Sequence, residues 1–311
     1  MFKRILVPLD TSKLAEIAIP YAEELAVKLG SEVILAHVRS SADAPDNNAH
    51  RMYMSKTTAE VEQRIKKSRE LAPGEKVKVI SVVLGEPNVV NHPADEILNY
   101  AEKENVSLIV LATHGRTGIR RWTLGSTANN IARASKCPLL LIRANAGVPQ
   151  SIHMEKILVP LDGSQPGEAV IPYIENLASR IKSKITVLNV VETQFHIYPY
   201  ADGLDYYGGA GIVRVPYTLE EMKPLEDVAV KYATSVTGKL KKKGIEATWE
   251  VRIGSPGDEI SKKESESHPD LVAMTTHGHS GFGRLDHGSV ADKVLHHGST
   301  PLLLVRPQKL K

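Results

Sequence analysis

An apolar stretch near the start of the chain occurs twice: Lys3-Arg-Ile-Leu-Val-Pro-Leu-Asp10 returns as Glu155-Lys-Ile-Leu-Val-Pro-Leu-Asp162. Another stretch repeats near the end of each copy, where Cys137-Pro-Leu-Leu-Leu-Ile-Arg143 returns as Thr300-Pro-Leu-Leu-Leu-Val-Arg306. Two copies of this length indicate duplicated domains rather than a solenoid. A chain of 311 residues also suits two domains of about 150 residues each. We therefore predict domains at 1–145 and 153–311, with their boundary in the Gly- and Pro-containing segment 144–151.

Within each copy, short runs of Val, Ile and Leu alternate with longer segments of helical spacing. Apolar strands that alternate with helices indicate a parallel sheet covered on both faces. The sequence therefore predicts an α/β fold with two tandem doubly wound domains, each with a five-stranded parallel sheet of order 3-2-1-4-5. The predicted strands lie near 3–9, 32–38, 76–84, 107–112 and 138–143, and near 156–161, 184–191, 246–253, 270–274 and 301–306. The predicted helices of the first copy lie near 13–29, 57–71, 94–104 and 126–135.

The loop after the fourth predicted strand is also duplicated: Thr113-His-Gly-Arg-Thr-Gly-Ile-Arg-Arg-Trp-Thr-Leu-Gly-Ser126 recurs as Thr276-His-Gly-His-Ser-Gly-Phe-Gly-Arg-Leu-Asp-His-Gly-Ser289. Each loop ends in Gly-Ser directly before a predicted helix. Loop glycines let backbone N–H groups approach a ligand, and a helix N-terminus presents unpaired donors and partial positive charge. We hypothesise that both loops bind nucleotide phosphates, although Gly-Ser is also an ordinary way to begin a helix.

The predicted topology brings other positions to the same place. In doubly wound sheets, ligands bind beyond the carboxyl ends of the strands, where the strand order reverses. Asp10 ends the first strand segment, and it is suited either to contact a ligand there or to cap the helix near Ser12. The positions at these carboxyl ends are Asp10, Val38 and Gly115 in the first copy, and Asp162, Val190 and Gly278 in the second.

Composition excludes several other classes of protein. The 39 basic and 36 acidic residues nearly balance at a formal charge of +3, which argues against a nucleic-acid partner. Cys137 is the only cysteine, so an intrachain disulfide is impossible and a reducing cytoplasm fits. No apolar run is long enough to span a bilayer, so we predict a cytoplasmic protein without a membrane partner. The histidines form neither H-E-x-x-H nor a Cys/His cluster, so we predict no dedicated metal site.

Two further features of the sequence are a missing nucleotide-binding motif and a loop that is longer in the second copy. There is no G-x-x-x-x-G-K-[ST] motif, which disfavours a P-loop NTPase. The second copy carries a longer loop at about 193–217, rich in Tyr and Gly. Such a loop is usually a lid, an interface or a disordered segment, and packing onto its own domain is an equal alternative.

The remaining pattern resembles the universal stress protein family, in its ATP-binding subgroup. Val7-Pro-Leu-Asp10 precedes Gly115, which is followed after nine residues by Gly125-Ser126. Val159-Pro-Leu-Asp162 precedes Gly278, which stands at the same nine-residue spacing from Gly288-Ser289. The resemblance covers nearly the whole chain as two tandem family domains.

The resemblance implies an ATP site in each copy. Asp10, with Pro8 beside it, is expected to contact the adenosine, and Val38 to offer backbone groups to the adenine edge. Gly115 and the Gly125-Ser126-Thr127 turn are expected to hold ribose and phosphates. Mg²⁺ can accompany ATP, because it usually depends on phosphate oxygens more than on protein ligands. The matching positions of the second copy are Pro160, Asp162, Val190, Gly278, Gly288, Ser289 and Val290.

The two copies depart from the family pattern to different degrees. A position that is usually glycine is Ala112 in the first copy and Thr275 in the second. The β-branched Thr275 restricts the backbone and crowds a ribose more than alanine does. The first loop also carries Arg116, Arg120 and Arg121, which can oppose phosphates. The second loop offers His279, Arg284 and His287 but adds an unfavourable Asp286.

Two functions from different classes fit these residues. One is a stress-response or regulatory module that binds adenine nucleotide; the other is a slow ATPase or phosphotransferase. Phosphoryl transfer needs an aligned nucleophile and strong charge neutralisation, and the sequence offers no assignable general base. Binding is therefore favoured, and fast stoichiometric release of phosphate in a single turnover of labelled ATP would reverse that preference. A third alternative, an assembly module with two decayed sites, predicts no thermal shift with ATP.

The last strands indicate how the domains associate. Pro138-Leu-Leu-Leu-Ile142 and Pro301-Leu-Leu-Leu-Val305 are expected at the edge of each sheet, and apolar edges invite pairing. In the family these edges pair between subunits. We therefore predict an intramolecular pseudo-dimer of the two domains, and two such chains can associate further as a homodimer.

The comparison of the two loops yields a ranking of the sites. We expect Gly125→Val to reduce ATP binding more than Gly288→Val, because the first loop is the more cationic and follows Ala112 rather than Thr275. Equilibrium titration of both variants with ATP measures this difference. A greater loss from Gly288→Val would overturn the ranking.

Overall fold

The computed structural model describes residues 1–39, 48–71, 77–86, 90–113, 124–143, 152–200, 211–277 and 288–307. Strands alternate with helices in both halves of this described part, which confirms the predicted α/β class. The strands of the first half are β1 (Arg4–Pro8), β2 (Glu32–Val38), β3 (Val79–Leu84), β4 (Leu108–Ala112) and β5 (Leu139–Ile142). Its helices are α1 (Lys13–Glu16), α2 (Ile19–Leu29), α3 (Asn48–Leu71), α4 (Pro93–Lys103) and α5 (Ser126–Ala134).

The second half repeats this order and adds one hairpin. Its strands are β6 (Lys156–Pro160), β7 (Lys184–Glu192), β8 (Phe195–Tyr200), β9 (Gly211–Pro216), β10 (Ala247–Gly254), β11 (Leu271–Thr275) and β12 (Leu302–Val305). Its helices are α6 (Ile171–Ile181), α7 (Leu219–Lys242), α8 (Pro256–Ser267) and α9 (Ser289–His297), with a 3₁₀ turn at Gly167–Val170. Every sheet strand predicted from sequence is present, and the observed strands lie within the predicted ranges or extend them by one residue.

Ten strands form one sheet in the order β10-β7-β6-β11-β12-β5-β4-β1-β2-β3. Within each half all neighbouring strands are parallel, so the predicted order 3-2-1-4-5 is confirmed in both. β5 and β12 pair antiparallel, with Leu140 opposite Leu303. Because this pair joins the halves, their strands run in opposite directions and their carboxyl ends lie at opposite edges of the sheet. The arrangement fits the predicted pseudo-dimer.

Helices cover both faces of the sheet, as doubly wound connections require. β4 and β11 are buried at every residue, which is typical of central parallel strands. Alternate residues of β1 enter two separate apolar clusters. Ile5 and Val7 belong to the cluster that includes residues of α2, α3, α6 and α7, whereas Leu6 belongs to the cluster that includes residues of α4, α5, α8 and α9. The first cluster crosses between the halves, where the rings of Phe2 and Tyr173 have centroids 5.8 Å apart.

Two helices differ from the sequence prediction. The predicted helix at 13–29 is divided into α1 and α2, because Pro20 in the first turn of α2 lacks an amide donor and cannot continue a helix from the preceding turn. The predicted helix at 57–71 begins earlier, at Asn48. Its early part is held by the buried Met54, and its apolar residues are too sparse for periodicity alone to reveal.

The stretch predicted as a longer loop at about 193–217 includes the antiparallel hairpin β8–β9. The base of the hairpin is joined to α7, since Nε2 of His196 lies 2.8 Å from Oε1 of Glu221 and the His196 ring stacks on Tyr217. Glu221 also completes a capping box with Thr218 at the start of α7. Phe195 and Ile197 remain substantially exposed on the hairpin. In the described part of the chain, none of the helices combines the length and apolarity needed to cross a membrane.

The pairing of β5 with β12 should contribute strongly to stability. Leu141 is fully buried opposite Leu302. We expect Leu141→Ala to lower the free energy of unfolding by about 2–5 kcal/mol, because it removes buried apolar volume at the junction of the halves. The matched control Leu219→Ala, at a residue that is 82% exposed, should change it by less than about 0.5 kcal/mol. Urea unfolding measures both changes. Equal changes in the two variants would contradict a strong contribution of the β5–β12 pairing to stability.

Candidate functional site

In each half the strand order reverses between the first and fourth strands. In a doubly wound sheet this reversal creates a crevice at the carboxyl ends of the strands, where ligands bind. In the first half Pro8 pairs with Ala36, so Asp10 and Val38 leave neighbouring strands at the same edge. The register of β1 with β4 brings Ala112 to that edge as well. In the second half the corresponding edge carries Pro160, Asp162 and Thr275. Val38 ends β2, whereas Val190 lies inside β7, which continues to Glu192.

The carboxylate of Asp10 is held by the residue that caps α1. Oδ1 of Asp10 accepts hydrogen bonds from the Ser12 amide at 3.0 Å and the Ser12 hydroxyl at 2.5 Å. The Ser12 hydroxyl oxygen in turn accepts from the Ala15 amide at 3.1 Å. Ser12, not Asp10, is therefore the helix cap, so capping α1 does not by itself explain the aspartate.

Asp162 repeats this geometry in the second half. Its Oδ1 accepts from the Ser164 amide at 3.0 Å and the Ser164 hydroxyl at 2.7 Å, and the hydroxyl oxygen accepts from the Gly167 amide at 3.0 Å. A Cβ atom at Gly167 would lie 2.3 Å from the Asp162 carboxylate. In the second half, glycine at this position leaves space for the carboxylate, whereas Ala15 makes the equivalent bond in the first half.

A buried polar residue on the second strand supports each aspartate loop. Nδ1 of His37 donates to the Leu9 carbonyl at 2.9 Å, and Nδ2 of Asn189 donates to the Leu161 carbonyl at 2.8 Å. Each bond fixes the residue directly before the aspartate. Our sequence analysis did not identify this pair. The available signal was a polar residue next to the last valine of the two apolar segments, Glu-Val-Ile-Leu-Ala-His-Val and Lys-Ile-Thr-Val-Leu-Asn-Val.

The helices α5 and α9 begin alike at the two crevices. The Gly125 amide donates to the Thr113 carbonyl at 2.8 Å, and the Gly288 amide donates to the Thr276 carbonyl at 2.7 Å. Neither helix has a side-chain hydrogen bond at its N-cap. The φ and ψ angles are −59° and 149° at Gly125 and −66° and 152° at Gly288. Any residue can adopt this conformation, so the advantage of glycine here is the space left by a missing side chain.

The first turns of these helices contain the remaining predicted phosphate contacts. Ser126 is exposed and Thr127 is half-buried in α5, and Ser289 and Val290 occupy the same positions in α9. The other loop residues singled out by sequence lie outside the described residues, so the contrast in loop charge stays a prediction. They are Gly115, Arg116, Arg120, Arg121, Gly278, His279, Arg284, Asp286 and His287.

Thr275, the residue that departs most from the family pattern, forms a hydrogen bond within its own loop. The hydroxyl of Thr275 donates to the His277 carbonyl at 2.8 Å. The Thr276 hydroxyl lies 2.8 Å from Nδ1 of His277, whose ring is buried. The start of the second loop is thus fixed by hydrogen bonds of its own residues, and the hydroxyl at Thr275 is already engaged.

A tyrosine from the helix after the second strand faces each aspartate loop. The Tyr53 hydroxyl donates to Oε1 of Glu16 at 3.0 Å. Burial, and then the Glu16 carboxylate, raise the pKa of Tyr53, and burial and Glu168 raise the pKa of Tyr232 in the same way. Both phenols are therefore protonated at neutral pH. Sequence comparison missed the pair because the tyrosines stand at different positions of two helices of equal length, 24 residues each.

The fold and the two crevices define a tandem doubly wound α/β protein with one candidate ligand site in each half. The family model of universal stress proteins matches residues 1–143 and 153–306. The chain therefore belongs to the universal stress protein family, in a form with two tandem domains.

Individual relatives match one half or the whole chain. A universal stress protein of Methanocaldococcus jannaschii is 28% identical over 155 residues, which are 46% of this chain and 96% of that protein. One of Bacillus subtilis is 30% identical over 148 residues, which are 46% of this chain and 100% of that protein. The crystal structure of a universal stress protein from Archaeoglobus fulgidus covers 99% of this chain and 100% of its own, at 18% identity and a TM-score of 0.63. At that identity the likeness shows the shared fold.

The bond from His37 predicts a selective effect on stability. We expect His37→Leu to lower the free energy of unfolding by about 1–3 kcal/mol, because the buried Leu9 carbonyl loses its donor. We expect His37→Asn to cost less, since Asn189 makes the equivalent bond in the second half. Urea unfolding of both variants, with Asn189→His as the reciprocal control, measures the difference. Equal stability of His37→Leu and the wild-type chain would show that the bond contributes nothing.

Proposed function

We propose that this universal stress protein is an adenine-nucleotide-binding module that takes up ATP, with one site in each half, and acts in a stress response or its regulation. One observation carries the proposal: an uncapped helix N-terminus begins with glycine at each crevice, beside an aspartate held in the same geometry. Backbone N–H groups and the helix dipole at such a point favour phosphate.

The arrangement offers different chemistry to the two ends of a nucleotide. The Asp10 carboxylate, already oriented by Ser12, is an acceptor suited to the hydroxyls of a ribose. The first turn of α5, with the Ser126 hydroxyl and the amides of Ser126 and Thr127, offers donors to the phosphates. The backbone at Val38, where β2 ends, is the part of this edge that would meet the base. A nucleoside polyphosphate has these groups in this order.

Binding without rapid turnover remains the preferred activity. Within the residues that the structure describes, no group of three or more His, Cys, Asp or Glu side chains is placed to hold a metal ion. Mg²⁺ that accompanies ATP would therefore depend mainly on phosphate oxygens. Efficient phosphoryl transfer also needs a base that orients the attacking group. His277, which the structure describes at the start of the second loop, has its Nδ1 within 2.8 Å of the Thr276 hydroxyl.

The first site is proposed as the stronger of the two. Ala112 leaves the end of β4 without a polar side chain, whereas the Thr275 hydroxyl fastens the start of the second loop to His277. A ligand that requires this loop to adjust would have to break that bond in the second half. The remaining parts of the proposal are a cytoplasmic location, consistent with a single cysteine whose pKa is raised by burial, and a further pairing of chains as a homodimer.

A charge placed at the helix start tests the phosphate site without harming the helix. We expect Ser126→Asp to weaken ATP binding at the first site by at least about tenfold, because a carboxylate would face the phosphates. The helix itself should be as stable or more stable, since acidic residues are favourable in the first turn. Isothermal titration with ATP and thermal melting of the same sample measure both effects.

The control is Asn130→Asp, which makes the same charge change at an exposed position about one turn further along α5. It should retain nearly wild-type ATP affinity, and the Ser126→Asp/Ser289→Asp double variant should bind at neither site. Wild-type ATP binding by Ser126→Asp would exclude the start of α5 as the phosphate site. Absence of ATP binding by the wild-type chain would reject the proposed function as a whole.

A further inference from the structure

Arg143 follows β5 directly and crosses the junction between the halves. Its side chain is only 7% exposed. The guanidinium donates hydrogen bonds to three backbone carbonyls of the second half: Nη1 to Leu295, Nη2 to Val294 at 2.9 Å, and Nε to Thr300 at 3.3 Å. A residue of the first half thus holds a segment of the second.

The carbonyls of Val294 and Leu295 belong to the last turn of α9. Unpaired carbonyls and partial negative charge gather at this end of a helix, and a cation there is favourable. The other end of α9 begins at Ser289, in the candidate phosphate turn. The helix has nine residues, so its two ends are about 13 Å apart. Arg143 therefore cannot touch a phosphate at Ser289, and any effect on it must pass through the placement of the helix.

A buried carboxylate, that of Glu264, lies near Arg143 and the carboxyl end of α9. Glu264, on α8, is 4% exposed. Its Oε1 accepts from the Ser299 amide at 2.7 Å, the Ser299 hydroxyl at 3.0 Å and the Thr300 amide at 2.5 Å. Burial lowers the pKa of Arg143 to about 10 against the opposing effect of Glu264, so the guanidinium is charged at neutral pH. Arg143 and Glu264 together fix both the end of α9 and the start of the segment that leads into β12.

Gly298 makes room for this contact. A Cβ atom at Gly298 would lie 2.8 Å from the Val294 carbonyl oxygen and 3.0 Å from Nη2 of Arg143. Its φ of −65° and ψ of 155° suit any residue, so space and not backbone conformation requires glycine. Gly298→Ala would therefore disturb the carboxyl end of α9 and the guanidinium together, without removing Arg143.

The reciprocal contact exists in the other direction. Arg306 follows β12, and its Nη2 donates to the carbonyl of Arg133, in the last turn of α5. The antiparallel pairing of β5 with β12 explains this symmetry. Because of it, β5 ends beside the carboxyl end of α9, and β12 ends beside the carboxyl end of α5. The two contacts differ in burial, since Arg306 is only partly buried.

We propose that Arg143 is a positioning residue for the second nucleotide site: it holds α9 from its carboxyl end, so that the first half of the chain sets the affinity of the site in the second half. This inference rests on the proposed function of the crevices. The start of α9 must be held accurately if its amides are to meet a phosphate, and a helix of nine residues moves as a unit. The more exposed Arg306 should have a weaker effect on the first site.

The test measures ATP affinity at one site at a time. In a Gly125→Val background, which leaves the second site, we expect Arg143→Gln to weaken ATP binding roughly tenfold, within the range found for residues that act on a site from a distance. Arg143→Lys should recover part of this loss, because it keeps the charge but not the three hydrogen bonds. Arg180→Gln, which removes an exposed arginine of α6, should have no effect. In a Gly288→Val background, Arg143→Gln should leave the first site within about twofold of its parent variant.

Two more variants separate positioning from simple loss of stability. Arg143→Gln leaves Glu264 buried without its counter-charge, so Arg143→Gln/Glu264→Gln restores the charge balance and should still weaken the second site. Gly298→Ala should have the same selective effect with Arg143 intact. Equal losses at both sites, full affinity at the second site in folded Arg143→Gln, or no recovery by Arg143→Lys would each overturn the proposal.

A measurement without nucleotide distinguishes failure of this inference from failure of the proposed function. The Asp292 amide donates to the Gly288 carbonyl at 2.9 Å, and the Asn129 amide makes the equivalent bond to Gly125 at 2.8 Å. We expect amide hydrogen exchange in Arg143→Gln to accelerate at Asp292 and not at Asn129. If the wild-type chain binds no ATP, the function fails, and the positioning is then judged by exchange alone. Unchanged exchange at Asp292 would reject it.

Discussion

The backbone hydrogen bonds between β5 and β12 are the constraint on which the rest of the molecule depends. Both strands consist of buried leucine, isoleucine and valine residues. Either strand left as an open edge would expose unpaired backbone groups and apolar side chains to solvent. Pairing them turns two five-stranded sheets into a single sheet of ten strands. The antiparallel direction has two further consequences. It places the two crevices at opposite edges of the sheet. It also brings the end of β5 beside the carboxyl end of α9, and the end of β12 beside the carboxyl end of α5.

Within each half, a small set of local bonds builds the crevice. A serine holds the aspartate, a buried polar side chain on the second strand holds the residue before it, and a glycine amide ties the helix start to the end of the fourth strand. The same three bonds recur in both halves, and only the donor on the second strand changes, from the imidazole of His37 to the amide of Asn189. Repetition of the geometry with changed side chains indicates that the positions of the aspartate and the helix start are the essential features of the crevice.

The two halves differ most in segments outside the shared framework of strands. The hairpin β8–β9 extends only the second half, and it is joined to α7 by His196 and Glu221. At the outer edge of the second half, β10 carries Glu250 and Arg252, which form ion pairs that keep charge along an otherwise open strand. The buried Glu264 near Arg143 is likewise a feature of the second half. These differences distinguish the two halves although their frames are alike.

Periodicity and repetition were enough to predict much of this protein from its residues alone. Near-continuous runs such as Leu108–Ala112 indicated buried parallel strands, and the duplicated Asp10 and Asp162 segments indicated two domains with a crevice in each. Those features follow from the pattern of residues that are close together in the sequence. The division of the helix at Pro20, the supports from His37 and Tyr53, and the bonds of Arg143 across the junction depend on contacts between residues far apart in sequence. Only the folded chain brings those groups together, because hydrogen bonding of a buried polar group is decided by which partner the packing leaves within reach.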